Sequence, residues 1–98
     1  MSDGRLTELR AEIDAVDAQL AALFERRMNI VSEVAGIKRE AGLPVFDPAR
    51  EADVVARGRA RVSAQNADGF EIILREIMRL SKEYQHMFSV YTEINGEQ

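Results

Sequence analysis

From Leu6 onward, apolar residues recur at positions 6, 9, 13, 16, 20, 23, 30, 34 and 37. Steps of three and four in alternation mark a helix that buries a narrow seam against another helix. One position of the series, 27, holds an arginine. The spacing predicts a helix from about residue 5 to about 39, roughly 50 Å long at its fixed rise per residue, with Gly36 as its weak spot. A compact chain of this size has a radius of gyration near ~13 Å and a diameter near ~35 Å. A rod of that length does not fit inside, so the seam is expected to bury against a second chain.

A second helix is predicted from Asp47–Pro48 to about residue 63. Asp accepts orphan N–H groups there, and Pro is preset for the first turn. Its apolar face, Val54, Val55 and Val62, is thin, and Gly58 weakens it by roughly 1 kcal/mol relative to Ala. A third helix is predicted from about 69 to about 92. Phe70, Ile73, Ile77, Leu80, Tyr84, Met87 and Tyr91 form one stripe on it. Leu74, Met78, Ser81, Gln85 and Phe88 form a second row, interrupted by two polar residues four apart on one face. No hairpin dipeptide sits between alternating apolar runs. The expected fold is all-α: a three-helix protomer with one very long N-terminal helix, in an intertwined homodimeric bundle, with 1–98 as a single domain.

Composition removes several function classes. An apolar content of 46% beside 31% charged residues excludes a disordered chain. There is no cysteine, hence no disulfide, thiolate chemistry or Cys-based metal site. His86 is the sole histidine, which argues against a His-rich metal site, and it is read as a surface or edge residue. A net charge of −4 argues against a nucleic-acid binder. No signal-peptide pattern or long apolar run is present, so the expected location is the cytoplasm. Met78, Met87 and the Tyr and Phe residues are read as core.

The informative residues are polar ones at positions where the pattern wants apolar ones. Burying an unpaired guanidinium at Arg27 is expensive. An ion pair with Glu33 or Glu51, or a side chain that snorkels to solvent, accounts for Arg27 equally well. Lys38, however, lies within ~20° of Arg27 around an ideal helix and roughly 16 Å along it, which leaves space for a small anion between two long cations. Arg10 is turned ~100° from Arg27, so it does not easily serve the same site in its own chain. Taken alone it reads as a surface residue, and an intertwined dimer would bring it within reach of the partner's site. Ser81 and Gln85 are each explicable alone, as a hydroxyl bonding back to the helix and an amide at the core's edge. Together with Arg27, Lys38, Arg50 and the carboxylate Glu51, they suit a small dianion bearing a hydroxyl. The set has no nucleophile–base pair, metal cluster or Gly-rich phosphate loop. It therefore points to binding, or to catalysis by shape and electrostatics.

Over nearly its full length the chain resembles the all-helical (AroQ-class) chorismate mutases. The matching pieces are "LRAEIDAVDAQLAALFERR" with Arg10 and Arg27, "VAGIK" with Lys38, "GLPVFDPARE" with Asp47, Arg50 and Glu51, and "IMRLSKEYQ" with Ser81 and Gln85. Each is weak alone, but the ordered set at family spacing is specific. The resemblance implies an interlaced homodimer with two sites, each taking Arg10 from one chain and the rest from the other. It implies a cofactor-free Claisen rearrangement of chorismate to prephenate, on the route to phenylalanine and tyrosine. Arg10 and Arg27 would hold the two carboxylates, and Lys38 and Gln85 would donate to the ether oxygen. Glu51 and the Asp47 backbone would bind the ring hydroxyl, with Arg50 and Ser81 completing the pocket. The alternatives on the same fold are an isochorismate-pyruvate lyase and a mutase of an amino analogue. A non-catalytic or regulatory helical dimer that partners a pathway enzyme is a third.

Overall fold

The structure, a computed structural model, describes the backbone of residues 2–95 and the side chains of residues 3–87. Phe88 and Tyr91, expected in the core, have side chains outside the described residues. Three helices and no strand are present among the described residues: α1 (Ser2–Ala41), α2 (Pro48–Ala60) and α3 (Ala64–Asn95). The long helix extends past both predicted ends. α2 stops at Ala60 instead of near 63, and α3 begins at Ala64 instead of near 69. The reason is local: Ser63 precedes the new start, and its carbonyl accepts the Asn66 N–H at 3.0 Å. "AQNAD" thus forms the first turn of α3, and Gly69 sits inside the helix. By packing, the chain divides into two units, one up to Ile30 and one from Val31.

The first unit is the N-terminal part of α1. Its seam residues Leu6, Leu9, Ile13, Val16, Leu20, Leu23 and Ile30 are 40–59% exposed within the single chain. Short-range ties on the helix surface accompany them, such as Arg5 Nη1 to Glu8 Oε2 at 3.2 Å and Thr7 Oγ1 donating to the Asp3 carbonyl at 2.8 Å. Arg27 is half-buried and Met28 is buried.

The second unit holds the end of α1 with α2 and α3. Val31 and Ala35 are buried while Val34 and Ile37 are exposed. One residue's step turns ~100° on a helix, so α1 carries two apolar faces here and only one is covered by this chain. α2 and α3 pack on each other. Val55 and Gly58 are the buried residues of α2, and Ala67 and Met78 supply apolar burial on α3. Gly58 is not simply a weakness of α2: an added Cβ would stand 2.1 Å from Leu74 Cδ1 and 3.3 Å from Phe70 Cε2. The missing side chain is what lets α3 approach α2. At the turn between them, Arg59 reaches Asp68 at 3.0 Å and Glu71 at 2.8 Å, and Arg75 holds the other Glu71 oxygen at 2.8 Å.

Several expected core residues are on the surface of the single chain. Phe24, Phe46, Ile73, Tyr84 and Met87 are all exposed, Met87 at 67%. On α3 the row containing Met78, Ser81 and Gln85 is buried instead, so Ile73, Tyr84 and Met87 turn to a side left exposed among the described residues. His86 is exposed, as read.

Candidate active site

The site residues of the second unit are set by two helix ends and one helix face. α1 ends in a Schellman motif. Gly42 takes φ +69°, a left-handed conformation natural to glycine, and the Leu43 N–H donates to the Lys38 carbonyl at 2.8 Å while the Gly42 N–H reaches the Arg39 carbonyl at 3.3 Å. Lys38 is therefore held at both ends. Its backbone closes the motif, and its ammonium donates to the Val45 carbonyl at 2.7 Å, across the loop that leads into α2. That places a half-buried cation beside the α2 N-terminus's own loop.

Asp47 caps α2 from an extended backbone conformation, φ −130° and ψ 92°. Its Oδ1 accepts the Arg50 N–H at 3.0 Å, and its carbonyl accepts the Glu51 N–H at 3.0 Å. Pro48 follows as the first helical residue, where its missing N–H costs nothing. The cap fixes the turn that carries Arg50 and Glu51, and the two side chains then diverge. Arg50 is 64% exposed and binds Asp53 at 3.1 Å, and Asp53 also accepts from Arg57 Nε at 2.9 Å. Asp53 is held below its ordinary value by the Arg57 hydrogen bond first and by the charges of Arg57 and Arg50. Glu51 turns the other way, to α3, where its Oε2 meets Lys82 Nζ at 2.8 Å.

α3 supplies the buried polar surface. Ser81 and Gln85 are each 6% exposed, one turn apart in the row that also buries Met78. Ser81 Oγ donates to the Ile77 carbonyl at 2.8 Å, the back-bond of a helical serine. Gln85 has its amide oxygen out of reach of solvent. Sequence reasoning missed Lys82, whose ammonium also stands 4.8 Å from the centre of the Phe46 ring. Its helical position, ~100° from Ser81 and ~60° from Gln85, is the one signal that marked it as bordering the site. Val45 gave no signal, because it acts through its backbone carbonyl.

The second unit thus brings together Lys38 with the loop, Asp47 and Glu51 at the α2 cap, and Glu51 with α3 through Lys82. Arg50 faces outward, to Asp53. Arg10 and Arg27 belong to the first unit, Arg10 exposed and Arg27 half-buried. Among the described residues, no cluster of His, Cys, Asp and Glu is placed to hold a metal ion, and no helix is long and apolar enough to cross a membrane.

Residues 9–86 match the family described as Chorismate mutase type II. The chain is 37% identical over 94 residues to the T-protein of Haemophilus influenzae, covering 94% of this chain and 25% of that protein. It is 41% identical over 78 residues to the T-protein of Enterobacter agglomerans, covering 78% of this chain and 21% of that one. It is 31% identical over 86 residues to the chorismate mutase of Methanocaldococcus jannaschii, covering 82% of this chain and 87% of that enzyme. The chain thus spans about a quarter of the length of the T-proteins it matches and most of the archaeal protein. No solved structure matches it significantly. With the family's match running from the seam of α1 through the buried polar row of α3, this chain belongs to the type II chorismate mutases.

Proposed function

We propose that the protein rearranges chorismate to prephenate as an interlaced homodimer. The observation that carries this reading is the pair Ser81 and Gln85, polar residues buried at 6% exposure in the middle of an otherwise apolar helix face. A few buried neutral hydrogen-bonding groups set among apolar side chains are what orients a polar ligand in a binding site.

The reaction is unimolecular. The ether C–O bond breaks while a C–C bond forms between the enolpyruvyl arm and the ring, and no proton is exchanged with the protein. Two tasks remain for the side chains. One is to hold the flexible arm folded over the ring, which the resemblance assigns to Arg10 and Arg27 at the two carboxylates. The other is to meet the negative charge that grows on the ether oxygen only in the transition state. Lys38 and Gln85 are the donors for that oxygen. Lys38 is pre-positioned by its Val45 bond, and Gln85 sits in a buried environment where a hydrogen bond counts for more. Glu51 accepts from the ring hydroxyl, beside the backbone of the Asp47 cap, with Ser81 completing the pocket; Arg50, which the resemblance also assigns there, points out to Asp53.

The exposed seam is what supports the dimer. The seven seam residues from Leu6 to Ile30 form a stripe that a single chain leaves in water. Contiguous apolar surface of this kind marks an interface, and each such side chain contributes ~1.5–3 kcal/mol when fully buried. A second copy of the same helix supplies a matching seam, and the resemblance brings Arg10 into the partner's site.

The test is an absorbance assay of chorismate loss by the purified chain, with the product identified. Prephenate is the expected product. Pyruvate and salicylate from isochorismate would replace this reading with the lyase, and absence of turnover on all these substrates would leave a helical dimer that acts through a partner enzyme.

A further inference from the structure

Lys82 has no part in the roles that the resemblance assigns, yet it is the partner the structure gives to Glu51. The two charged atoms are 2.8 Å apart, with the Lys82 and Glu51 side chains only 30% and 21% exposed. The same ammonium faces the Phe46 ring at 4.8 Å. Phe46 immediately precedes the capping Asp47, so one side chain of α3 reaches both the first turn of α2 and the loop before it. Other cations nearby are engaged elsewhere: Lys38 at the Val45 carbonyl and Arg50 at Asp53.

This geometry has a chemical consequence for whatever Glu51 binds. Lys82 occupies Oε2, which fixes the plane of the carboxylate and leaves its remaining lone pairs to accept from a ligand. It also neutralises the carboxylate locally. A neutral hydroxyl needs only an acceptor, so it loses nothing by that neutralisation. A protonated amine at the same ring position needs an anion, and it meets a carboxylate already paired, with a second ammonium beside it. Like charges brought together in a partly buried site are penalised.

We propose that Lys82 is a positioning residue that orients Glu51 and makes its subsite select a ring hydroxyl over a ring ammonium. This rests on the reading of Glu51 as the ring-hydroxyl acceptor in a chorismate mutase. It separates the chorismate reaction from that of the amino analogue by a residue outside the set that contacts substrate.

The experiment uses the full chain and five proteins: wild type, Lys82→Met, Lys82→Arg, Glu51→Gln, and Lys82→Met combined with Glu51→Gln. For each, kcat and KM are measured with chorismate, and the amino analogue is titrated as a competitive inhibitor. Thermal melts check that each variant is folded. Lys82→Met is expected to raise KM for chorismate more than it lowers kcat. It is also expected to tighten the inhibition constant of the amino analogue relative to that KM by ~10-fold, the equivalent of one charge-assisted contact. Lys82→Arg restores the wild-type ratio, and the shift disappears in the Glu51→Gln background. An unchanged ratio in a folded Lys82→Met variant overturns the proposal while leaving the mutase reading intact. So does a shift that persists without the Glu51 carboxylate. A wild-type chain that does not convert chorismate overturns the mutase reading, and this proposal with it.

Discussion

Gly58 of α2 lies so close to Leu74 of α3 that an added Cβ would stand 2.1 Å from Leu74 Cδ1. Propensity alone makes Gly58→Ala a stabilising change of about 1 kcal/mol in a helix interior. The overlap opposes it, because Leu74 must leave its rotamer beside Phe70, and overpacking costs roughly 1–3 kcal/mol. The expected outcome in chemical denaturation is no net stabilisation from Gly58→Ala, and stabilisation once Leu74→Ala has removed the obstacle. The two changes should couple by ~1–2 kcal/mol. Additive effects would mean that Gly58 is not the contact that sets the α2–α3 distance.

Leu20 is 58% exposed in the single chain. If the chain stays a monomer, Leu20→Glu is a surface change worth less than ~0.5 kcal/mol. If the seam closes a dimer, the substitution puts an unpaired carboxylate into a desolvated interface. Analytical ultracentrifugation is expected to show the wild type as a dimer and the variant dissociated, with loss of chorismate turnover. A variant that sediments like the wild type and keeps its activity would rule out the seam as the interface.

The helices were legible because period and caps are local properties: the three-four spacing of α1 and the Asp47–Pro48 start of α2 need no tertiary information. The polar interruptions at Ser81 and Gln85 were legible for the same reason, and both are buried. What escaped the sequence depends on neighbours across space. The start of α3 at Ala64 is set by the tight turn after α2, and Gly58 gains its meaning only from Leu74. Arg50 and Glu51 are adjacent in sequence, yet the helix turns them ~100° apart, one to Asp53 and one to Lys82. Ile73, Tyr84 and Met87 carry a core-like spacing, but the spacing does not say which chain covers them.

Lys38 and Arg50 are both cations near the α2 cap, and their settings predict different losses. Lys38 is half-buried and aimed by its 2.7 Å bond to Val45, whereas Arg50 is mostly in water beside Asp53. As a donor to charge that exists only in the transition state, Lys38 is expected to be worth ~10²–10³ in kcat when replaced by alanine, by analogy with oxyanion-hole donors. Arg50→Ala should cost less than ~10-fold, as for an exposed and screened charge. Equal losses in steady-state kinetics would remove the special role given to Lys38.

Glu71 makes the acid end of stability testable. Its carboxyl is held below the ordinary value of 4.5 by hydrogen bonds from Arg75 first and Arg59 second. A carboxylate with a lowered folded-state pKa contributes stability above its unfolded value and loses it as pH falls through the folded one. The Arg59 link from α2 to α3 should therefore weaken below the ordinary glutamate range. Melting temperatures followed downward from pH 6 to pH 3 are expected to fall less steeply for Glu71→Gln than for wild type. Parallel curves would mean that the ion pairs at this turn do not contribute to folding.

Gln85 gives the sharpest test of mechanism, since its amide donates without titrating. At 6% exposure, a carboxyl in its place would be desolvated, and burial favours the neutral acid. Only that acid form can donate to the ether oxygen, while the carboxylate would repel the charge growing there. The wild type is thus expected to show a broad pH–kcat profile near neutrality. Gln85→Glu should be active in acid and lose activity as pH rises through the pKa of the new carboxyl, by at least ~10²-fold if this donor counts as much as one in an oxyanion hole. A variant whose profile matches the wild type would show that residue 85 does not donate in the transition state.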